Sequence, residues 1–236
     1  MPSSETKDLQ VLDLGRTRYH ATWDLQKQLV LRRADQTTPD CLLLTEHEPV
    51  ITLGRGTDYR NLLMSSEELA ARGVDLHEIE RGGDVTFHGP GQAVLYPIID
   101  LRERGRDVRQ YLRDLERFVI EALADLGLEA SVKDGLTGIW VDNRKVGAIG
   151  VAVSRWITYH GVAINVNTDL DYFKLINPCG ITQYPVGSVS QLVGREIRLA
   201  HFNDLLVHHF AESFGYQPVK VADTNQFLAG LSSKSH

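Results

Sequence analysis

Two residues of this chain, Lys145 and Cys179, have side chains that could react as a pair. Cys179 lies in the segment Asn177-Pro178-Cys179-Gly180, where proline and glycine predict a tight turn that holds the thiol in place. Lys145 lies in residues 140–151, whose pattern predicts a strand, a polar turn and a Gly- and Ala-rich strand. An ammonium group beside a thiol stabilises the thiolate, which is the nucleophilic form of cysteine. The lysine could therefore convert the cysteine into a reactive thiolate nucleophile.

Each residue also has a simpler interpretation. A cysteine is more often a small buried hydrophobic residue than a nucleophile, and Cys41, in the apolar run Cys41-Leu42-Leu43-Leu44, fits that description. A lysine beside a hairpin turn is commonly solvated. Because residues 145 and 179 are far apart in sequence, their spacing does not decide whether they meet in the fold.

Composition narrows the class of protein. The chain has 236 residues, of which 42% are hydrophobic and 24% charged, as in ordinary globular proteins. Two cysteines at unrelated positions form neither a disulfide framework nor a metal-binding motif, so no metal site is expected. A net charge of −6 argues against nucleic acid as the main partner. With no apolar leader and no run of membrane-spanning length, we expect a cytoplasmic protein without a membrane partner.

Helical and strand patterns alternate without the regular spacing of a doubly wound sheet, which favours an α+β fold. The clearest helix is predicted over residues 107–126, where apolar residues recur at helical spacing. A short strand is predicted over residues 196–199. With no repeat or linker, we expect one domain over residues 1–236, with a core of about residues 10–215 and a mobile tail after residue 231.

A glycine-rich loop spans residues 81–92, with the sequence RGGDVTFHGPGQ. Its glycines follow neither the phosphate-binding P-loop pattern nor the dinucleotide-binding pattern. Four glycines and one proline in so short a span indicate a backbone shaped for close approach, either to a substrate or within a structural hairpin. His88 could orient a substrate carbonyl, or it could hold the loop through hydrogen bonds.

Four blocks of sequence, in order, carry a resemblance to a known family. They are residues 81–92, residues 145–150 (KVGAIG), residues 160–165 (HGVAIN) and residues 177–181 (NPCGI). Together they resemble the lipoyl(octanoyl) transferases, over roughly residues 10 to 215 of this chain. The resemblance implies the fold of the biotin and lipoate protein ligase catalytic domain, a mixed β-sheet flanked by helices.

The same resemblance implies a reaction and its partners. The expected donor is octanoyl-acyl carrier protein, and the expected acceptors are lysines on the lipoyl domains of ketoacid dehydrogenase E2 subunits and on the glycine-cleavage H protein. Cys179 resembles the nucleophile that becomes an acyl thioester, and Lys145 resembles the partner that lowers the pKa of its thiol. The walls of the acyl site are expected to be Arg81, Gly82, Gly83, Asp84, Val85, Thr86, Phe87, His88, Ala148, Ile149, Gly150, Gly161, Val162 and Ala163. Family members commonly have tyrosine where this chain has Phe87, so we expect position 87 to contribute packing and not proton transfer.

The expected chemistry needs no ATP and no cofactor, because transfer between thioesters is nearly neutral in energy and transfer from a thioester to an amine is downhill. Three alternatives stay open from sequence: an ATP-dependent lipoate or biotin ligase, a non-catalytic acyl- or carrier-protein-binding module of the same fold, and a cysteine peptidase. The arginines of the 107–126 helix and its start share one stripe, which is either an ordinary solvated face or a docking surface for acidic proteins. These are Arg106, Arg109, Arg113 and Arg117.

Overall fold

The computed structural model describes residues 6–178 and 184–232. Within these ranges, eight strands form a large sheet and three form a smaller one. The strands are β1 (Lys7–Thr17), β2 (Cys41–His47), β3 (Val50–Leu53), β4 (Asp75–Glu78), β5 (Val85–His88), β6 (Gln92–Ile98), β7 (Ala130–Lys133), β8 (Leu136–Val141), β9 (Arg144–Ser154), β10 (Ile157–Asn165) and β11 (Tyr216–Lys220). The α-helices are α1 (Tyr19–Ala34), α2 (Ser66–Ala71), α3 (Val108–Ala124), α4 (Val189–Val193), α5 (Leu199–Phe214) and α6 (Thr224–Ser232).

The large sheet is mixed, with the strand order β11-β1-β2-β6-β10-β9-β8-β7. Strand β1 runs parallel to both of its neighbours, whereas the pairs from β2 to β7 are antiparallel. The small sheet has the order β4-β3-β5, with β3 parallel to β4 and antiparallel to β5. The predicted mixed sheet flanked by helices is confirmed.

Alternation along the central strands separates the two faces of the large sheet. Leu95 of β6 packs with Phe118 of α3 and Phe210 of α5 in one core cluster. The next residue, Tyr96, packs in a second cluster with Leu29 of α1. Helices α3 and α5 therefore cover one face of the sheet, and α1 covers part of the other.

Local sequence signals account for the ends of several elements. The Asp107 carboxylate accepts a hydrogen bond from the Gln110 amide at 2.9 Å and caps α3, within the helix predicted over residues 107–126. The polar turn between β8 and β9 has positive φ at both Asp142 (46°) and Asn143 (62°), the conformation of a tight hairpin turn. The strand predicted over residues 196–199 is wrong, because that segment leads directly into α5 at Leu199.

No helix in the described part of the chain is long and apolar enough to cross a membrane. The tail predicted to be mobile lies largely outside the described residues, which end at Ser232. The single-domain interpretation of residues 1–236 stays a prediction.

Candidate active site

A cavity of about 350 Å³ opens on the α1 face of the large sheet, where the small sheet meets β6, β9 and β10. Residues of β6, β9 and β10 line it together with β5 and the loop before β5. It is lined by Tyr19, Gly56, Arg81, Gly83, Asp84, Val85, Thr86, His88, Val94, Tyr96, Gly135, Leu136, Thr137, Lys145, Ala148, Ile149, Gly150, His160, Gly161, Val162 and Ala163. Apolar side chains and a few buried polar groups are the usual lining of a small-molecule site.

A chain of hydrogen bonds fixes the tautomer of His88. The side-chain amide of Gln92 donates from Nε2 to Asn165 Oδ1 at 2.9 Å and to the Phe87 carbonyl at 3.2 Å. The Gln92 oxygen therefore accepts, and His88 Nδ1, at 2.8 Å, must be the protonated nitrogen. Nε2 of His88 keeps its lone pair as an acceptor. Burial and the neighbouring Arg81 cation contribute to lowering the pKa of His88 to about 3, so this ring is neutral at physiological pH.

Two further imidazoles are paired with tyrosines. Tyr96 donates its hydroxyl to His47 Nε2 at 2.7 Å, and the Tyr19 hydroxyl lies 3.4 Å from His160 Nδ1. Burial is the largest cause that lowers the pKa of His47 to about 4 and that of His160 to about 3. Burial also raises the pKa values of both tyrosines. Tyr19, Tyr96 and His160 therefore give the cavity a neutral, hydrogen-bonded end, with His47 bonded to Tyr96 behind it.

The backbone of His160 is strained. Its φ of +56° lies in the left-handed region, which is uncommon for a residue inside a strand. The Gln26 side chain of α1 fixes this conformation by accepting a hydrogen bond from the His160 amide at 2.7 Å. Strain held in place by buried partners is found preferentially at functional sites.

Arg81 is a buried cation in the cavity wall, 7% exposed. Its guanidinium donates to the carbonyl of Thr52 at 2.7 Å and to the hydroxyl of Thr52 at 2.9 Å. The arginine packs directly against Gly150, where a β-carbon would lie 2.9 Å from Arg81 Cδ, and against Gly54, where one would lie 2.7 Å from Arg81 Nη1. The two glycines make room for this side chain.

Lys145 stands at the start of β9 and is 7% exposed, so the solvated-surface interpretation is wrong. Its Nζ lies 5.9 Å from the centre of the Trp140 ring. Its backbone N–H donates to the Pro185 carbonyl, and its carbonyl accepts from the Gly187 amide, each at 3.0 Å. The side chain lines the main cavity and also a small adjoining one of about 20 Å³, which Pro178 lines as well.

Cys179 lies outside the described residues, between Pro178 and Tyr184. Both described flanks are anchored near Lys145. On one side, Pro178 shares the small cavity with it. On the other side, the Asn165 side-chain amide donates to the Gly187 carbonyl at 3.1 Å. The hydrogen bonds that run from His88 through Gln92 and Asn165 therefore reach Gly187, whose backbone amide donates to Lys145.

Cys41 is a core residue, as predicted. It is fully buried in β2, and burial raises the pKa of its thiol to about 12. A thiol in that state is a poor nucleophile.

All but two of the residues predicted for the acyl site line the cavity together with Lys145. Gly82 is one exception, and its amide donates to the Val151 carbonyl at 2.9 Å, fixing the loop beside Arg81. Phe87 is the other. Since side chains alternate along β5, Thr86 and His88 face the cavity while Phe87 turns into the small-sheet core and stacks on Tyr172 at 4.7 Å.

Sequence reasoning did not place several lining residues in the site. Tyr19 opens α1, Tyr96 and His160 lie within buried strands, and Leu136 and Thr137 begin β8. At positions 96 and 160, the sequence did offer one indication, a residue with a polar group inside an otherwise apolar strand. Such a group needs a hydrogen-bond partner when it is buried.

The arginines Arg109, Arg113 and Arg117 are exposed on α3, as the helical spacing predicts. That helix covers the sheet face opposite the cavity, because α3 packs with Leu95 while the cavity is lined by Tyr96. The predicted docking surface is therefore not beside the cavity.

The fold is similar to that of two kinds of protein ligase. A lipoate-protein ligase A solved with ATP superposes with a TM-score of 0.68 at 18% identity, covering 98% of this chain and 95% of that one. A biotin protein ligase from Aquifex aeolicus superposes with a TM-score of 0.50 at 13% identity, covering 89% and 69%. At these identities the likeness concerns the fold, and it confirms the class of fold predicted from sequence.

Sequence comparison is more specific. Residues 18–211 match the family described as the lipoyl protein ligase A/B catalytic domain. An octanoyltransferase of Koribacter versatilis is 45% identical over 225 residues, covering 93% of this chain and 90% of that protein. An octanoyltransferase of Solibacter usitatus is 48% identical over 204 residues, covering 86% and 92%. The chain belongs to the lipoyl protein ligase A/B catalytic domain family and groups there with the octanoyltransferases.

Proposed function

We propose that this protein transfers an octanoyl group from a carrier-bound thioester to a lysine amine of a lipoyl domain, through an acyl thioester on Cys179. The observation that carries the proposal is the burial of Lys145 at the junction of the two cavities, beside the described flank of Cys179. Lysine side chains are rarely this buried in folded proteins. The octanoyltransferases to which the chain is related supply the reaction class.

The first half-reaction forms the acyl-enzyme. The Cys179 thiolate attacks the carbonyl carbon of the donor thioester, the new C–S bond forms and the donor C–S bond breaks. The departing carrier thiolate takes a proton from the Lys145 ammonium, which leaves Lys145 neutral. Because one thioester replaces another, the step needs no ATP.

The second half-reaction uses that neutral lysine as a base. The acceptor amine attacks the Cys179 thioester, and the C–S bond breaks as the amide bond forms. Lys145 takes the proton that the amine loses, and the thiolate and the ammonium are restored together. The overall step is downhill because an amide is more stable than a thioester.

The cavity supports an acyl occupant. Val94, Ala148, Ile149, Val162 and Ala163 give it an apolar lining, and its volume of about 350 Å³ is at the small end of the range for ligand sites. The neutral histidines and tyrosines add no charge to the wall. The lone pair on His88 Nε2 is a suitable acceptor for an N–H or S–H group near the reacting carbonyl.

The finer partners are also part of this proposal. We assign octanoyl-acyl carrier protein as the donor, and lipoyl domains of ketoacid dehydrogenase E2 subunits and the glycine-cleavage H protein as acceptors. The proposed setting is the cytoplasm, where reducing conditions keep a catalytic thiol from forming disulfides.

The test is intact mass spectrometry after mixing the protein with octanoyl-acyl carrier protein in the absence of ATP. We expect one octanoyl adduct on the wild type, none on Cys179→Ala, and an unchanged adduct on the matched control Cys41→Ala. Adding a lipoyl domain should discharge the adduct and octanoylate the domain. Transfer that depends on ATP would instead indicate a ligase mechanism, and transfer without ATP that persists in Cys179→Ala would contradict the Cys179 thioester.

A further inference from the structure

A second group of reactive side chains lies away from the cavity, on the surface where α5 meets the end of α3. His208, His209 and Glu212 of α5 bring three ligand atoms within 4.8 Å of one another. It is the one such group of histidines, cysteines and carboxylates found in the described part of the chain. We propose that it binds a divalent transition-metal ion of the Zn²⁺ type.

The distances suit coordination by a small ion. Glu212 Oε2 lies 3.6 Å from His208 Nε2 and 3.8 Å from His209 Nδ1. Ligands about 2.0–2.1 Å from a tetrahedral zinc are separated by roughly 3.4 Å, so small side-chain rotations close the site. His208 and Glu212 can make these rotations, since their side chains are 61% and 62% exposed.

His209 is already oriented in the way that metal-binding histidines usually are. Its Nε2 donates to Asp125 Oδ2 of the α3 end at 2.9 Å, which leaves Nδ1 with its lone pair toward Glu212. A carboxylate that holds the far nitrogen of a ligating imidazole fixes its tautomer and raises its basicity. The His209 side chain is only 13% exposed, so this orientation is restrained by packing.

The charge of the surroundings favours a cation. Glu121 Oε2 of α3 lies 3.8 Å from the same His209 Nδ1 and can serve as a fourth ligand, or a water can take that position. The nearby Arg117 side chain pairs with Asp114 at 2.9 Å and donates to the Ser213 carbonyl, so two groups outside the cluster hold it. Imidazole and carboxylate ligands suit zinc, whereas magnesium prefers an all-oxygen set.

Binding there would join the two helices. His209 and Glu212 come from α5, while Asp125 and Glu121 come from the last turn of α3 and the residue after it. Because this surface lies on the sheet face opposite the cavity, bound metal should raise the melting temperature without entering the acyl-transfer chemistry.

The experiment is a calorimetric titration with Zn²⁺ of the full chain without a purification tag. A Cys179→Ser background removes the thiolate as a competing ligand. We expect one tight site, at least a 100-fold loss of affinity in His208→Asn/His209→Asn, and a 10- to 100-fold loss in Asp125→Asn. The matched control is His201→Asn, an exposed histidine on α5 outside the cluster, which should bind as the parent does.

Co²⁺ in place of Zn²⁺ should give a visible absorption band typical of tetrahedral nitrogen and oxygen ligands, which weak surface binding does not give. If the double variant is unstable, His208→Asn alone changes only an exposed ring and should still weaken binding at least tenfold. The proposal is wrong if no site titrates, or if the double variant binds Zn²⁺ with the parent's affinity. Neither result depends on the activity of Cys179, so the proposed function is tested separately.

Discussion

At the scale of single residues, Lys145 is the group on which both proposed half-reactions depend. Its burial and its two backbone hydrogen bonds to the 184–188 segment hold it beside the described flank of Cys179. An ammonium held in a partly apolar site stabilises a nearby thiolate strongly, because little solvent screens the pair.

Replacing Lys145 with Met keeps the length and apolar stem of the side chain and removes the charge. We expect the pH at which Cys179 reacts with iodoacetamide to rise by at least about one unit, since one unit corresponds to about 1.4 kcal/mol of charge interaction. Both half-reactions should slow by about 10²- to 10⁴-fold. The measurement is the pH profile of alkylation at Cys179, followed by mass spectrometry.

Lys133→Met provides the matched control. Lys133 lies on the neighbouring hairpin, with its Nζ 5.5 Å from the same Trp140 ring, but it donates to Asn143 at the turn. Its removal should leave the alkylation profile where it was. An equal shift in both variants would mean that general electrostatics, and not a dyad, controls the thiol.

At the scale of elements, the hairpin of β8 and β9 positions Lys145 through a glycine. Gly138 of β8 has a φ of +131°, and a β-carbon there would lie 2.6 Å from Lys145 Cε. Residues other than glycine rarely adopt this backbone conformation, and the added atom would press on the Lys145 side chain and on the Gly147 carbonyl oxygen, which lies 2.6 Å from the same point.

Gly138→Ala should therefore lower kcat by about 100-fold, the typical cost of displacing a catalytic group by about 1 Å. Stability should also fall, so a control glycine that has positive φ but lies away from Lys145 is needed. Gly127→Ala, after α3, has a φ of +76° with nothing near its β-carbon, and should lose about 1–2 kcal/mol of stability with kcat unchanged. Steady-state kinetics and urea unfolding of both variants separate the two effects. Equal kcat in the two variants would contradict the positioning role of Gly138.

Sequence patterns predicted most helices and central strands because their apolar periodicity is strong, as in α3. They failed where the backbone groups of a segment are hydrogen-bonded by a distant side chain and not by a neighbouring strand. The alternation at residues 196–199 is typical of a strand, but the Asn167 side chain satisfies both backbone groups of Ile197, at 3.1 Å and 2.7 Å. No neighbouring strand is needed there.

In the candidate site, too, local sequence patterns predicted some features and missed those that depend on distant contacts. The glycine-rich blocks located most of the cavity wall, because glycine has no β-carbon and allows the backbone to approach its neighbours closely. The pairing of Tyr96 with His47 and of Tyr19 with His160 depends on contacts between distant segments, and no local pattern encodes these. The opposite orientations of Phe87 and His88 follow from strand alternation once the cavity face is known.

At the scale of the whole molecule, the buried histidines make stability depend on pH. His47, His88 and His160 have folded pKa values of about 4, 3 and 3, below the ordinary value of 6.5. At a pH between the folded pKa values and 6.5, the unfolded chain therefore binds protons on these histidines that the folded chain does not bind. The stabilising effect is fully present above pH 6.5 and is lost progressively as the pH falls to about 4 for His47 and about 3 for His88 and His160.

We expect the free energy of unfolding to fall on acidification from pH 6.5 to about 5, with each buried histidine contributing up to about 1.4 kcal/mol per pH unit. His47→Asn should make this slope shallower by about one histidine's share, whatever its effect on absolute stability. Urea unfolding across this pH range provides the measurement. The exposed His201→Asn should leave the slope unchanged, and an unchanged slope in His47→Asn would contradict the assignment of a neutral buried ring.

The pairing of β1 with β11 has a consequence for the order in which this molecule can be completed. Residues 7–11 leave the ribosome well before residues 216–220, which fill their outer hydrogen-bonding edge. Contacts of such long sequence separation form slowly, and an open strand edge can pair with other chains in the meantime. During synthesis, the outer edge of β1 therefore stays unpaired until β11 has been made. The nascent chain is most prone to misassembly in that interval.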